Sequence, residues 1–305
     1  MALLRRAVAS FLFAAVAATS FSQTPTAFMR MQKPSATKED LQTLAREYTP
    51  AHGKGPVVWL VGVAHIGEEG YYKELQKLLD AQQVVLYEGV TRNGVDPAKA
   101  GDDKLAKSTY KALSDALKLQ FQLFGIDYDH PSFHNADLSW DELQAIEKKY
   151  PPAKGGMSLS TIGSMLNADS SQGQMIVNAL AAIKDDPSSI EAMHIGMIEL
   201  LSDPTVIERT LSPSLNEVLI RSRNAKVLDA LKKQLASNPN SVAIFFGAGH
   251  MANMEQHLIK DFGYKPGAEK WYTAIEGDNS KVTSPTGQML LQSMRSMAKQ
   301  KKIGG

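Results

Sequence analysis

Two stretches of the chain share one pattern of apolar and polar positions. Val57-Val58-Trp59-Leu60-Val61 runs into Gly62-Val63-Ala64-His65, and Val242-Ala243-Ile244-Phe245-Phe246 runs into Gly247-Ala248-Gly249-His250. Short, continuous apolar runs of this kind predict strands buried on both faces, as in a parallel sheet. An amphipathic segment follows each one. The first carries Tyr72, Leu75, Leu78 and Leu79 at helical spacing, and the second extends to Phe262. Each unit then reaches a strand that closes on a carboxylate and a glycine, Leu86-Tyr87-Glu88-Gly89 and Ala274-Ile275-Glu276-Gly277. The expected fold class is therefore α/β, with a mixed, largely parallel sheet built from two related β-α-β halves and right-handed crossovers.

The remaining pattern fills in around these halves. Gln23 to Thr37 lacks periodicity and reads as a flexible lead-in, and Lys38 to Tyr48 as a short helix. A long helix is expected over Leu105 to Phe124, followed by a polar but aromatic ordered loop over 125–137. Ser139 with Glu142 forms a capping-box signature. Pro151-Pro152 and Gly155-Gly156 break the chain, and Ser158 to Ser202 is helical and rich in Met and Ala without strand signals. That segment is expected to be a helical insertion, about 151–212, covering the end of the sheet within a single domain spanning 38–305. Its methionines read as adaptable core filler. Pro213 to Ala236 is a strong helix with an apolar stripe at Ile220, Val227 and Leu231, and a last amphipathic helix carries Met289, Leu290, Met294 and Met297.

Composition narrows the picture in three ways. Hydrophobic residues at 43% and charged residues at 21% of 305 are ordinary for a globular chain able to bury a large core. Arg5-Arg6, an apolar run from Ala7 to Ala18 and then Thr19, Ser20 and Ser22 have the layout of a secretory signal peptide over residues 1–22. Roughly 12 apolar residues fall short of the ~20 that span a bilayer. The expectation is an exported protein, periplasmic or secreted, with no stable membrane span once the leader is cleaved. The net charge of +1 gives no electrostatic preference for nucleic acid. The absence of cysteine excludes disulfides, thiolate metal sites and cysteine nucleophiles.

Candidate chemistry follows from where the polar residues fall. In open α/β sheets ligands gather beyond the carboxyl ends of the strands, where His65, Glu88, His250 and Glu276 are expected. Gly62, Gly247 and Gly249 lack Cβ and allow the backbone to turn sharply or approach a ligand just before each histidine. An imidazole at a helix N-terminus tends to be neutral, suited to a metal ion or to a base. Two histidines with carboxylates make an N/O set suited to Zn, Mn or Co. Arg223 and Asn224 fall on the buried side of their helix, and a buried guanidinium must find an acceptor. Glu88, Glu276 or a substrate oxygen are the candidates. His134, Asn135 and Asp137 form a further loop cluster. Gly247-Ala248-Gly249-His250-Met251-Ala252 also fits a dinucleotide-binding turn, but the first copy lacks the second glycine.

With these residues in view the chain resembles the TraB/PrgY/GumN and Tiki family, itself similar to ChaN-like and erythromycin-esterase-like proteins. The resemblance rests on Gly62-Val63-Ala64-His65, Glu88, Arg223-Asn224 and Gly247-Ala248-Gly249-His250 in that order, over roughly residues 56–90 and 212–262. It implies an α/β core with two related halves and, for the Tiki branch, metal-dependent cleavage of peptides. Other relatives suppress peptide pheromones, and ChaN-like ones are linked to haem-iron binding. The reading for this chain is an exported metal-dependent hydrolase acting on a peptide or small-molecule substrate. His65, His250 and Glu88 would be ligands, with Glu88 as a possible general base and Arg223 stabilising an oxyanion or orienting Glu88. The competing reading is a peptide- or haem-binding protein without turnover.

Overall fold

The computed structural model describes residues 27–99, 108–203 and 212–300, and side chains up to residue 296. The expected leader lies outside the described residues. In chain order the strands are β1 (Met29–Gln32), β2 (Lys38–Pro50), β3 (Val57–Val63), β4 (Ile66–Gly67), β5 (Val84–Tyr87), β6 (Gln120–Phe121), β7 (Phe133–Asn135), β8 (Ser241–Gly247) and β9 (Tyr264–Asp278). The helices are α1 (Glu69–Asp80), α2 (Thr109–Leu117), α3 (Gln122–Gly125), α4 (Trp140–Lys149), α5 (Leu159–Leu166), α6 (Ser171–Ala181), α7 (Pro187–Leu201), α8 (Pro213–Asn216), α9 (Ser222–Ala236), α10 (Ala248–Lys260) and α11 (Pro285–Gln300). A π-helical turn, Glu217–Arg221, joins α8 to α9.

The expected α/β architecture with a parallel core is present. β3, β8, β5 and β7 lie side by side in that order and pair in parallel. The two apolar runs are immediate neighbours, with Val57 opposite Ser241 and Val63 opposite Gly247. Their side chains form the centre of the core: Leu60, Val61, Ile244, Phe245 and Phe246 are fully buried. Continuous apolar sequence here reflects burial on both sheet faces.

The outer part of the sheet departs from the sequence expectations. Residues 38–48 form a strand, not a helix. β2 pairs with β9 along one edge and with β1 and β3 along the other, all antiparallel. Register shifts at Leu41/Gln42 and Arg46/Tyr48 insert extra residues into the pairing with β9. The extra residues lie on β9; β2 itself is buried on both faces, at Leu41, Thr43 and Ala45 and at Leu44 and Tyr48, which is why Leu41, Leu44 and Tyr48 mimic a helical stripe. β1 falls within the expected lead-in, held by four paired positions on β2 and by buried Phe28 and Met29. The second unit also closes differently. β9 runs in the same sense as β3 but pairs with β2, beyond the parallel strands, instead of completing a matched β-α-β half.

Two helical expectations change as well. The helix expected through residue 124 stops at Lys118, a left-handed position (φ 55°) whose N–H is taken by Ser114 and Asp115 carbonyls. The chain then forms β6, which pairs with β4, and the short α3. The segment 158–202 is helical as expected, but α7 packs on β1, β2, β9 and α11, on the antiparallel side of the sheet. Met193 and Met197 are buried there as filler. The capping box of α4 forms in full, with Ser139 Oγ accepting from Glu142 N and the Glu142 carboxylate accepting from Ser139 N.

Candidate functional site

The parallel order β3-β8-β5-β7 brings four chain ends together at one edge of the sheet. His65 follows β3, Glu88 follows β5, Asp137 follows β7, and His250 lies in the first turn of α10 after β8. Adjacent strands are about 4.8 Å apart, so residues just beyond their ends meet without long side chains. Arg223 and Asn224 come from the first turn of α9, which leans on β5 and β8.

Glu88 and Arg223 form the centre. Arg223 Nη2 donates to Glu88 Oε1 at 2.6 Å and to Asp137 Oδ2 at 2.6 Å, and its Nε donates to Asp137 Oδ1 at 2.9 Å. Its Nη1 donates to the Leu219 carbonyl at 3.3 Å, inside the π-helical turn, and lies 3.5 Å from His250 Nε2. π turns loosen the regular carbonyl pairing and are frequent at functional sites. Glu88 Oε2 accepts from Gly247 N at 2.6 Å. Asp137 is further held by Gly89 N and Leu138 N. A guanidinium spread over two buried carboxylates leaves the trio one charge negative. Burial alone would raise the Glu88 carboxyl, but Arg223, the two imidazoles and the Gly247 N–H outweigh it and hold it well below the usual carboxylate range.

The two histidines stand on either side of this carboxylate. His250 Nε2 lies 3.8 Å from Glu88 Oε1. A Cβ placed on Gly247 would sit 3.2 Å from His65 Nε2 and 3.3 Å from Glu88 Oε2. Both groups thus use the space that a side chain at 247 would need. The Nδ1 of His250 donates to Asn224 Oδ1 at 2.6 Å, while Asn224 Nδ2 donates to the His250 carbonyl and to Asn253 Oδ1. Those two acceptors force the Asn224 oxygen toward the ring. His65 Nδ1 faces Gln122 Oε1 at 2.7 Å. Burial lowers the His250 pKa to about 3, against the pull of Glu88, so the ring is neutral near pH 7. Glu88, Asp137, Arg223, Asn224 and His250 are all buried, whereas His65 is partly exposed and marks the side open to solvent.

The structure sorts the expected residues. His65, Glu88, Arg223, Asn224 and His250 converge, and Asp137 joins them as the second partner of Arg223. Glu276 does not. It is exposed on β9, opposite Asp40 and separated from β3 by the intervening β2. His134 is exposed on β7, and its neighbour Asn135 instead donates to the Gly89 carbonyl and to Asp96. His65 is not at a helix N-terminus, because β4 separates it from α1. Gly62 packs against Ala248, with only 3.2 Å for a Cβ, and brings β3 close to the start of α10. Gly249 is buried in the first turn of α10. Gln122 and Tyr128 were missed because each is an isolated polar position inside a segment read as helix or loop.

A family model described as the TraB/PrgY/gumN family matches residues 143–266. Over these residues the chain is similar to the TraB/PrgY/gumN family. The matched region contains Arg223, Asn224 and the second Gly-x-x-His, together with the Met-rich helical segment, while β3, His65 and Glu88 lie before it. The family's matched portion therefore supplies one side of the site and the N-terminal strands supply the other. No curated protein and no solved structure matches the chain. Among the described residues no helix is long and apolar enough to cross a membrane. No group of three or more His, Asp or Glu side chains among them is placed to hold a metal ion.

Proposed function

We propose that this protein is an exported hydrolase of peptide bonds whose working groups are the Nε2 atoms of His65 and His250. One observation carries the reading. Two imidazoles from separate strand ends meet at one buried carboxylate, each with its Nδ1 facing a carboxamide oxygen. An Nδ1 so occupied leaves Nε2 as a lone-pair donor, the arrangement of a metal-bound or proton-accepting histidine.

By donor type the two Nε2 atoms suit a divalent transition ion, although among the described residues no three such donors are spaced to bind one. Glu88 retains unused lone pairs beside them, because a carboxylate offers about four acceptor sites and two are occupied. When bound, such an ion polarises the scissile carbonyl and acidifies a water. The chain's own residues have separable tasks. Arg223 is committed to Glu88, Asp137, Leu219 and, through Nη1 at 3.5 Å, His250 Nε2, so its role is to fix Glu88 and not to reach an oxyanion. Glu88, held far below the pH of use, is a poor proton acceptor and serves as fixed negative charge that stabilises positive charge beside it. Of these side chains only His65 is open to solvent, so substrate approaches from its side; in the absence of an ion its Nε2 takes the proton of the attacking water.

The test is metal analysis and calorimetric titration with Zn²⁺, Mn²⁺ and Co²⁺, run beside cleavage of a peptide library with and without each ion. Ion-dependent cleavage lost in His65→Ala and His250→Ala supports the reading. Cleavage without any ion, lost in the same variants, keeps the histidines as acid–base groups and removes the metal. Tight peptide binding without cleavage, or a haem Soret band on reconstitution, replaces hydrolysis with sequestration.

A further inference from the structure

We infer that Gln122 and Tyr128 are positioning residues that hold His65 as the Nδ1–H tautomer, with the Nε2 lone pair left free. The inference rests on the hydrolytic reading of His65 and concerns residues outside the region matched by the family model.

Gln122 is buried at the start of α3, immediately after the small β4–β6 sheet that carries His65. It grips His65 twice: its backbone N–H donates to the His65 carbonyl at 2.8 Å, and its Oε1 accepts from His65 Nδ1 at 2.7 Å. Its Nε2 donates to the Tyr128 hydroxyl at 2.8 Å. A buried carboxamide has two ends, and which end faces the ring decides the tautomer. With oxygen toward the ring, Nδ1 carries the proton. With nitrogen toward it, Nδ1 must be the acceptor and Nε2 the protonated atom.

Tyr128 supplies the bias between these two states. It is itself buried, packed 4.9 Å from Tyr87, 5.9 Å from Phe133 and 6.5 Å from Phe245 between ring centroids. Burial, with the Glu88 charge adding to it, raises its pKa and keeps the hydroxyl protonated. Its oxygen accepts from Gln122 Nε2 at 2.8 Å, which holds the nitrogen end of the carboxamide away from the ring and leaves Oε1 facing His65 Nδ1. The same device recurs at the second histidine. Asn224 Nδ2 is committed to Asn253 and to the His250 carbonyl, so Asn224 Oδ1 faces Nδ1 of that ring. Two histidines from different strand ends are thus each keyed by a carboxamide whose far end is pinned, though the sequences around Gln122 and Asn224 share no motif.

The test is ¹⁵N NMR of the imidazoles in the metal-free full chain, which distinguishes protonated from unprotonated nitrogen without any assay of turnover. The expected wild-type result is Nδ1–H and bare Nε2 for His65. Gln122→Leu should convert His65 to a mixture of tautomers and weaken Co²⁺ binding or hydrolysis by about 10–100-fold, the range for loss of a partner behind a metal-binding or catalytic histidine. Gln122→Glu, which keeps an acceptor, should restore the Nδ1–H signature. Tyr128→Phe should also populate the second tautomer while leaving His250 unchanged. An Nε2–H signature in the wild type, or a Gln122→Leu spectrum identical to it, overturns the inference. If the tautomer responds as stated while no peptide is cleaved and no ion binds, the positioning role stands and the hydrolytic reading fails. The wild-type spectrum decides the matter even if a variant does not fold.

Discussion

Replacing Arg223 with methionine isolates the interaction on which the site's geometry depends. Methionine keeps much of the side-chain volume but removes the charge and all the donors. Glu88 and Asp137, both buried, would lose the cation that each contacts at 2.6 Å, and the Leu219 carbonyl would lose its partner. Breaking a buried ion pair from one side costs about 3–5 kcal/mol, because the remaining charge has neither water nor partner. Here two carboxylates are stranded, so the upper part of that range is expected at pH 7. That is a large share of the ~5–15 kcal/mol that stabilises a typical domain. The assay is urea unfolding at pH 7, followed by far-UV circular dichroism and by the fluorescence of the three tryptophans. Adding Glu88→Gln and Asp137→Asn to Arg223→Met should recover most of the loss by removing the stranded charges. The single variant should also regain stability on acidification. Its orphaned carboxyls have folded pKa values raised above the unfolded ~4, so the penalty is full above the folded values and gone below the unfolded ones. A loss below about 1 kcal/mol in the single variant, or a triple variant no better than the single, would refute the reasoning.

Three further outcomes follow from the same geometry. His250 has a folded pKa of about 3 against an ordinary 6.5, so between those values the unfolded chain binds one more proton. Wild-type stability should therefore rise with pH across that window by about 1.4 kcal/mol per pH unit from this group, a slope that denaturation of His250→Gln at several pH values should lack. Gly247→Ala puts a methyl 3.2 Å from His65 Nε2 and 3.3 Å from Glu88 Oε2. Displacements of a few tenths of an ångström at both groups should lower kcat/KM by about 10–100-fold with less than about 1 kcal/mol lost in urea unfolding; unchanged kinetics would show that neither group needs its place. Gly125→Ala would bring a Cβ to 2.5 Å from Tyr72 Cγ, beneath a ring whose hydroxyl donates to the Ala64 carbonyl. Overpacking there should cost about 1–3 kcal/mol by thermal denaturation, with no change expected if the ring can move aside.

Local pattern carried the parallel core, because a strand covered on both faces must be apolar throughout and that shows in six or seven consecutive residues. The same pattern placed His65, Glu88 and His250 at strand ends, and the helical stripe around Ile220 turned Arg223 inward. What local pattern could not convey was pairing. β2 looks helical because both of its faces are buried, and only its two edges, filled by β9 on one side and by β1 and β3 on the other, show it to be a strand. Glu276 repeats the Glu-Gly ending of Glu88 yet stands outside the site, since the strand that carries it docks beyond β2. Asp137 takes the place once open to Glu276, because β7 joins β5 and delivers it to the guanidinium. Gln122 and Tyr128 carry no signal of their own. Hydrophobic periodicity records which side of an element is buried, but the partner of a buried charge or imidazole is set by which strands lie side by side, and that is a property of the assembled sheet.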